Sequence, residues 1–103
     1  MKILTDCFGR EVRLTDERLA HILERPELSD LESEIEEVLS VPRFVRASRS
    51  DDTVRLFYGF YSETLVGGKW LCVVVKYEEA DAFVVTAYLT NRPKAGEDLW
   101  PKN

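Results

Sequence analysis

The sequence predicts an α+β domain in which helices cover one face of an antiparallel sheet. Three observations favour this class. Apolar residues recur at helical spacing before residue 42, the period changes to two from residue 43, and short turn signals separate the later strands. With 103 residues, 45% of them hydrophobic and 32% charged, the chain has the length and composition of a single domain spanning residues 1–103.

The N-terminal segment is expected to form a hairpin followed by a helix. Its strands are expected at residues 2–7 and 10–14, because Gly9 between them supplies a turn and Val12 and Leu14 alternate with charged neighbours. Thr15 then occupies an N-cap position, and the first helix extends to Pro26. Its apolar stripe consists of Leu19, Ile22 and Leu23.

A second helix is expected to begin at residue 29 or 30 and to end before Pro42, because the residue before a proline disfavours helical geometry. Its apolar stripe is Leu31, Ile35, Val38 and Leu39. The stretch 16–40 carries nine acidic and two basic residues, a net charge of −7, whereas the remainder sums to +2. The total of −5 therefore leaves room for a cationic surface on the sheet, which a nucleic-acid partner would require.

The remaining chain is expected to form a four-strand antiparallel meander. Its strands lie near residues 43–49, 53–62, 69–77 and 83–91. The connections are two-residue turns at 51–52 and 67–68 and a turn at 79–81. The tail after Asn91 is expected to be a loop whose Leu99 and Trp100 dock back onto the domain.

Matching apolar rows across neighbouring strands predicts which side chains share a face. The rows expected to face the helices are Leu71, Val73 and Val75 on one strand and Phe83, Val85, Ala87 and Leu89 on the next. This register places Lys76 on the opposite face together with Thr86, Tyr88 and Thr90. Extending it through the two-residue turns adds Arg46, Ser48, Arg55, Phe57 and Tyr61 to that face.

Several kinds of site and location are disfavoured. Cys7 and Cys72 lie in apolar surroundings and are expected to be reduced, buried thiols, with a disulfide as the minority interpretation. The sequence has no glycine-rich phosphate loop and no zinc-ligand spacing, so we expect no metal and no other cofactor. No run approaches the roughly 18 apolar residues of a membrane span, and Asp6 interrupts any signal peptide, so we expect a cytoplasmic protein without membrane contact.

Two side chains are candidate catalytic groups. His21 lies at the edge of the first helix's apolar stripe, and histidine titrates closest to neutral pH, although a surface or capping role is the more frequent one. Lys76 ends an apolar run, although a lysine that simply reaches water is equally plausible. Thr86, Tyr88 and Thr90 are also ordinary strand residues. Together these groups form a set that could handle a phosphodiester.

Five segments resemble the phage- and toxin-associated nuclease superfamily that groups barnase, EndoU, colicin and RelE-like folds. They are HILERPE at 21–27, RLFY at 55–58, KWLCVVVK at 69–76, AFVVTAYLT at 82–90 and KAGEDLW at 94–100. The resemblance implies helices on one face of the sheet, a substrate cleft on the other, and RNA as the substrate. It also implies cleavage without a metal, in which the RNA 2′-hydroxyl attacks the phosphate.

At matching positions the resemblance implies that His21 is the acid or base, that Lys76 stabilises the phosphorane and that Thr86 positions the phosphate. It adds Arg55 and Tyr58 as substrate contacts, and the predicted face adds Arg46, Tyr88 and Thr90. The two inferences conflict at Tyr58, which the predicted register turns toward the core. The alternative is a catalytically silent module of the same fold, whose acidic helices contact a protein partner or inhibitor.

Overall fold

Two helices pack against one face of a seven-stranded mixed sheet. The computed structural model describes residues 1–102. Its strands are β1 (Lys2–Thr5), β2 (Glu11–Leu14), β3 (Phe44–Ala47), β4 (Val54–Tyr61), β5 (Lys69–Tyr77), β6 (Ala82–Thr90) and β7 (Asp98–Trp100). The helices are α1 (Asp16–Leu23) and α2 (Glu32–Ser40), with a short 3₁₀ turn at Pro26–Leu28 between them.

The predicted start of the first helix is confirmed. The Thr15 hydroxyl accepts a hydrogen bond from the Arg18 amide at 3.1 Å, which satisfies one of the free N–H groups of the first turn. The start of the second helix was placed two to three residues too early. Ser29 instead closes the 3₁₀ turn by donating its hydroxyl hydrogen to the Pro26 carbonyl, and α2 begins at Glu32.

The sheet is larger than the predicted meander. Strands β3 to β6 do pair consecutively and antiparallel, but the order is β1-β2-β6-β5-β4-β3-β7. The N-terminal hairpin joins through a parallel contact between Arg13 and Phe83, supported by an ion pair from Arg13 to Asp81 at 2.7 Å. The tail adds β7 beside β3. Both additions join residues far apart in the chain, which strand periodicity does not reveal.

The predicted register between β4 and β5 was wrong by five residues, because Tyr61 pairs with Lys69 where a turn at 67–68 would pair Val66 with it. The tight turn has Leu65 and Val66 at its centre, because Thr64 and Gly67 exchange backbone hydrogen bonds at 3.0 and 3.2 Å. An extra residue between this turn and the strand then shifts the pairing. A slip by an odd number of residues reverses the face of every side chain. The residues it moves to the helix side are Arg55, Phe57 and Tyr61.

Two further irregularities alter the predicted faces. A bulge in β6 at Val85 turns Ala82 and Val84, rather than Phe83 and Val85, toward the helices. The β3–β4 turn is longer than two residues, since the Ser48 amide bonds the Val54 carbonyl. This second slip, of one residue, reverses the faces again, so Arg46 and Ser48 remain on the expected side.

The main core lies between the helices and the sheet, where Ile22, Ile35 and Leu39 pack with Phe57 and Val73. The opposite side of the sheet, called the open face below, carries a smaller buried cluster formed by Leu56, Tyr58 and Cys72. The residues of the open face are Phe44, Arg46, Val54, Leu56, Tyr58, Phe60, Trp70, Cys72, Val74, Lys76, Thr86, Tyr88 and Thr90.

Neither helix within residues 1–102 has the length and apolarity needed to cross a membrane.

Candidate functional site

The tail crosses the open face before it forms β7. The Lys94 amide donates a hydrogen bond to the Tyr58 hydroxyl at 2.9 Å, and the Lys94 carbonyl accepts one from Arg46 at 3.0 Å. Arg46 also pairs with Asp98 at 3.0 Å, and the Ala47 amide donates to the Glu97 carbonyl at 2.9 Å. These four contacts hold the tail in place on the open face of the sheet.

A cleft of about 660 Å³ lies between this tail and the loop that joins β3 to β4. Its lining residues are Ser48, Arg49, Ser50, Asp51, Val54, Leu56, Val74, Thr86, Tyr88, Lys94 and Ala95. The sheet supplies a mostly apolar floor. The two cations of the lining, Arg49 and Lys94, are exposed and make no ion pair with any residue between 1 and 102. The cleft therefore combines an apolar base with free positive charge.

Lys76 lies on the open face, as predicted, because its strand neighbour Val74 is paired with Thr86. Its ammonium group contacts the Asp51 carboxylate at 3.0 Å. Asp51 also accepts hydrogen bonds from the hydroxyl and amide of Thr53 at 2.6 and 2.9 Å. The Thr53 bonds, followed by Lys76, lower the pKa of Asp51 to about 2. The lysine charge is thus balanced by a carboxylate at the edge of the cleft.

Beneath the tail, Tyr58, Cys72 and Tyr88 stand side by side on adjacent strands. Burial raises the pKa of Tyr58 to about 12 and that of Cys72 to about 11, and it also raises the pKa of Tyr88. Cys72 is fully buried and Cys7 half-buried, and both are free thiols, as expected. A protonated, buried thiol is a poor nucleophile, so we assign Tyr58, Cys72 and Tyr88 a structural role and no chemical one.

His21 does not reach this cluster. The next residue of α1, Ile22, is buried against the helix side of the sheet, which turns the imidazole outward. Its side chain is 64% exposed, and Nδ1 lies 4.0 Å from the Glu24 carboxylate. The sheet therefore stands between His21 and Lys76, and the expected convergence of the two is absent. Helical spacing placed His21 at the edge of the stripe but did not show which way that edge faces.

Two of the predicted substrate-binding residues, Arg55 and Tyr58, have structural roles. The Arg55 guanidinium stacks on the rings of Phe8 and Tyr77, at 4.7 and 4.3 Å, on the helix side of the sheet. Its assignment to the open face was wrong because of the β4–β5 slip. Tyr58 does lie on the open face, which resolves its conflict against the predicted register, but it is fully buried and anchors the tail.

The other three predicted substrate-binding residues lie on the expected face, and they are Arg46, Tyr88 and Thr90. Arg46 is held by Asp98 and by the Lys94 carbonyl, so its side chain orients the tail. Tyr88 lines the cleft. Thr90 lies at the far end of β6, where its hydroxyl accepts a hydrogen bond from the Arg92 amide at 3.2 Å.

Sequence reasoning missed the roles of Arg49, Asp51 and Lys94. All three lie in loops, and loops carry no periodic signal that would assign them to a face. A weak signal existed for Lys94, because it directly follows Pro93 within a tail already expected to dock. No cluster of three or more potential metal-ligating side chains occurs in the part of the chain that the structure describes.

Comparisons with protein-family models, curated proteins and solved structures found no match to this chain. The residues of the cleft and the open face therefore have to carry any inference about function.

Proposed function

We propose that this chain is a metal-independent ribonuclease that binds RNA in the cleft and cleaves it through attack of the 2′-hydroxyl. The observation that carries the proposal is the cleft itself, where Arg49 and Lys94 at the rim form no ion pair and Thr86 is part of the lining. Lys76 lies on the same face and contacts the lining residue Asp51. The resemblance to metal-independent nucleases supports the same chemistry.

The distribution of charge also favours a polyanion on this face. Residues 16–40 hold a net charge of −7, and both helices of this segment pack on the other side of the sheet. The chain therefore separates its acidic surface from its cleft by the thickness of the sheet. Such a separation lets a locally positive face attract phosphate even though the total charge is −5.

The residues of this face suggest how the reaction is divided. The attacking 2′-oxygen forms a bond to phosphorus while the bond to the 5′-oxygen breaks, which leaves a 2′,3′-cyclic phosphate and a 5′-hydroxyl. Lys76 stabilises the charge of the phosphorane and supplies a proton to the departing 5′-oxygen. Thr86 donates a hydrogen bond that positions the phosphate, and Arg49 and Lys94 hold the neighbouring phosphates.

The 2′-hydroxyl proton needs an acceptor, and His21 lies on the wrong side of the sheet to be one. Asp51 is the carboxylate that contacts Lys76 on this face. Because its pKa is lowered to about 2, it is a weak base, and we expect slow turnover that depends mainly on charge stabilisation.

The test is incubation of the purified protein with mixed RNA in EDTA, with mass spectrometry of the products to detect 2′,3′-cyclic phosphate ends. We expect Lys76→Ala to lower the rate roughly 10²- to 10³-fold, the usual cost of removing one group that stabilises the transition-state charge. The matched control is His21→Ala, which should keep the wild-type rate. Intact RNA with the wild-type protein, or equal rates for wild type and Lys76→Ala, would refute the proposal.

A second candidate is the catalytically silent module. It is favoured by the pairing of Lys76 with Asp51 and by the position of His21 on the other side of the sheet from the cleft. Its contact surface would be the acidic helices, although Glu32 and Glu36 already bind Lys2. For this candidate, wild-type protein would leave RNA intact, and Glu34→Lys with Glu37→Lys would abolish co-purification of a basic protein partner.

A further inference from the structure

The open face ends, beyond the tail, in a group of three aromatic side chains that the cleft does not include. Phe44, Phe60 and Trp70 form this group, called the aromatic patch below. The Trp70 ring centroid lies 5.2 Å from that of Phe44 and 5.3 Å from that of Phe60, and the rings are inclined by 54° and 69°. The three side chains thus pack against one another as one aromatic cluster, with Trp70 in the centre.

Packing in a hydrophobic core explains only part of the patch, because its side chains remain partly exposed. The helices cover the other side of the sheet, and Phe60 remains 46% exposed while Phe44 and Trp70 are half-buried. The adjoining hairpin tip exposes Leu65 and Val66 as well. Exposed apolar surface of this kind in a small protein indicates a binding site more often than chance.

Cations border the patch at the ends of its strands. Arg43 precedes Phe44, and Arg92 follows the strand position opposite Trp70 by two residues. Neither cation forms an ion pair within the described range 1–102. Lys69, which pairs with Tyr61, alternates onto the helix side, where its ammonium group donates a hydrogen bond to Asn91 at 2.6 Å. Between Tyr61 and Lys76 the sequence holds a single acidic residue, Glu63.

We propose that the aromatic patch binds unpaired nucleotides by stacking their bases on Phe60 and Trp70 while the bordering cations contact the phosphates. Aromatic rings interleaved with basic side chains are the usual composition of surfaces that bind single strands. A duplex offers no free base faces to such rings, so the patch selects single-stranded RNA. This inference rests on the proposed function and adds to it the strand state of the substrate.

The patch and the cleft lie on the same face at opposite ends of β5. Trp70 and Lys76 are six residues apart, which corresponds to roughly 20 Å along a strand. Tyr58 and the tail lie between them. A single strand running along β5 would therefore place one segment on the aromatic patch and another at the cleft.

The experiment uses a fluorescein-labelled 2′-O-methyl oligouridylate, which has no free 2′-hydroxyl and so cannot be cleaved. Its anisotropy with the full chain gives the Kd, and the same strand annealed to its complement serves as the duplex probe. Because each stacked base is worth roughly 1–3 kcal/mol, we expect Phe60→Leu and Trp70→Leu each to weaken single-strand binding at least about fivefold. The matched control is Leu65→Ser, an exposed aliphatic position, which should bind as the wild type does.

The intrinsic fluorescence gives a second readout that leaves all three residues of the patch unaltered. Trp100 packs against Phe8 at 5.8 Å, so a Trp100→Phe variant leaves Trp70 as the reporter of the patch. Its emission should be quenched by the single strand and not by the duplex.

The outcomes separate the two proposals. If the wild type binds the single strand but Phe60→Leu and Trp70→Leu bind equally well, the patch inference is refuted while the cleft proposal stands. Equal affinity for the duplex, or an equal loss in Leu65→Ser, as expected of a general apolar surface for a protein partner, would also refute it. If the wild type binds neither RNA nor its 2′-O-methyl analogue, both proposals fail.

Discussion

Gly96 is the position at which one methyl group would detach the tail from the sheet. A Cβ atom there would lie well inside van der Waals contact with the backbone carbonyl oxygen of Ala47, which has no rotamer to change. The tail would have to move outward and break the 2.9 Å bond from the Ala47 amide to Glu97. Loss of a backbone hydrogen bond costs about 1 kcal/mol and overpacking about 1–3 kcal/mol, so we expect Gly96→Ala to cost about 2–4 kcal/mol.

Because the tail forms an edge strand, this cost should appear as local opening rather than as global unfolding. The assay is native-state hydrogen exchange at the Ala47 amide. We expect it to exchange roughly 30- to 700-fold faster in Gly96→Ala, given that about 1.4 kcal/mol corresponds to a factor of ten. The Ser48 amide, which bonds Val54 at 3.0 Å, is the internal control, and Ala95→Ser is the control variant. Unchanged exchange at Ala47 would refute the packing described for the tail.

Two other variants and one labelling experiment test buried and charged groups. Asp6 is 4% exposed and accepts bonds from two backbone amides and from Tyr77, so we expect Asp6→Ala to lower the free energy of unfolding in urea by about 3–4 kcal/mol; a loss below about 1 kcal/mol would contradict this. The lowered pKa of Asp51 makes its stabilising effect complete above about pH 4 and lost as the pH falls toward about 2, so Asp51→Asn should flatten the decline of the urea midpoint in that range, and an identical decline would argue against the Thr53 hydrogen bonds and the Lys76 pair. Burial raises the pKa of Cys72 to about 11, so the native protein should react slowly with a disulfide reagent at neutral pH, and rapid labelling of Cys72 would contradict its burial.

The face shared by Lys76, Thr86 and Tyr88 could be predicted because two adjacent strands each carry a long apolar row. Burying both rows fixes their relative register. The bulge at Val85 lies beyond the predicted polar row, so it displaced Phe83 without moving Thr86. Prediction from alternation succeeded where the pairing was regular.

The remaining errors came from loops, whose length decides register. The turn centred on Leu65 and Val66 was placed two residues too late because the glycines after it suggested a turn at 67–68, and only Gly67 of the pair has a positive φ, 89°. The slip moved Arg55 and Tyr61 to the wrong side. The tail could not be placed at all from periodicity, since Lys94 is held by long-range contacts.

The most direct test of the central claim is backbone amide chemical-shift mapping with the 2′-O-methyl oligouridylate. If RNA binds on the open face, the largest shifts should occur at Lys76, Thr86 and Lys94, and the amides of His21 and Glu34 should stay unchanged. Shifts confined to the helices, or no shifts at saturating oligonucleotide, would contradict the proposal that the open face is the functional surface.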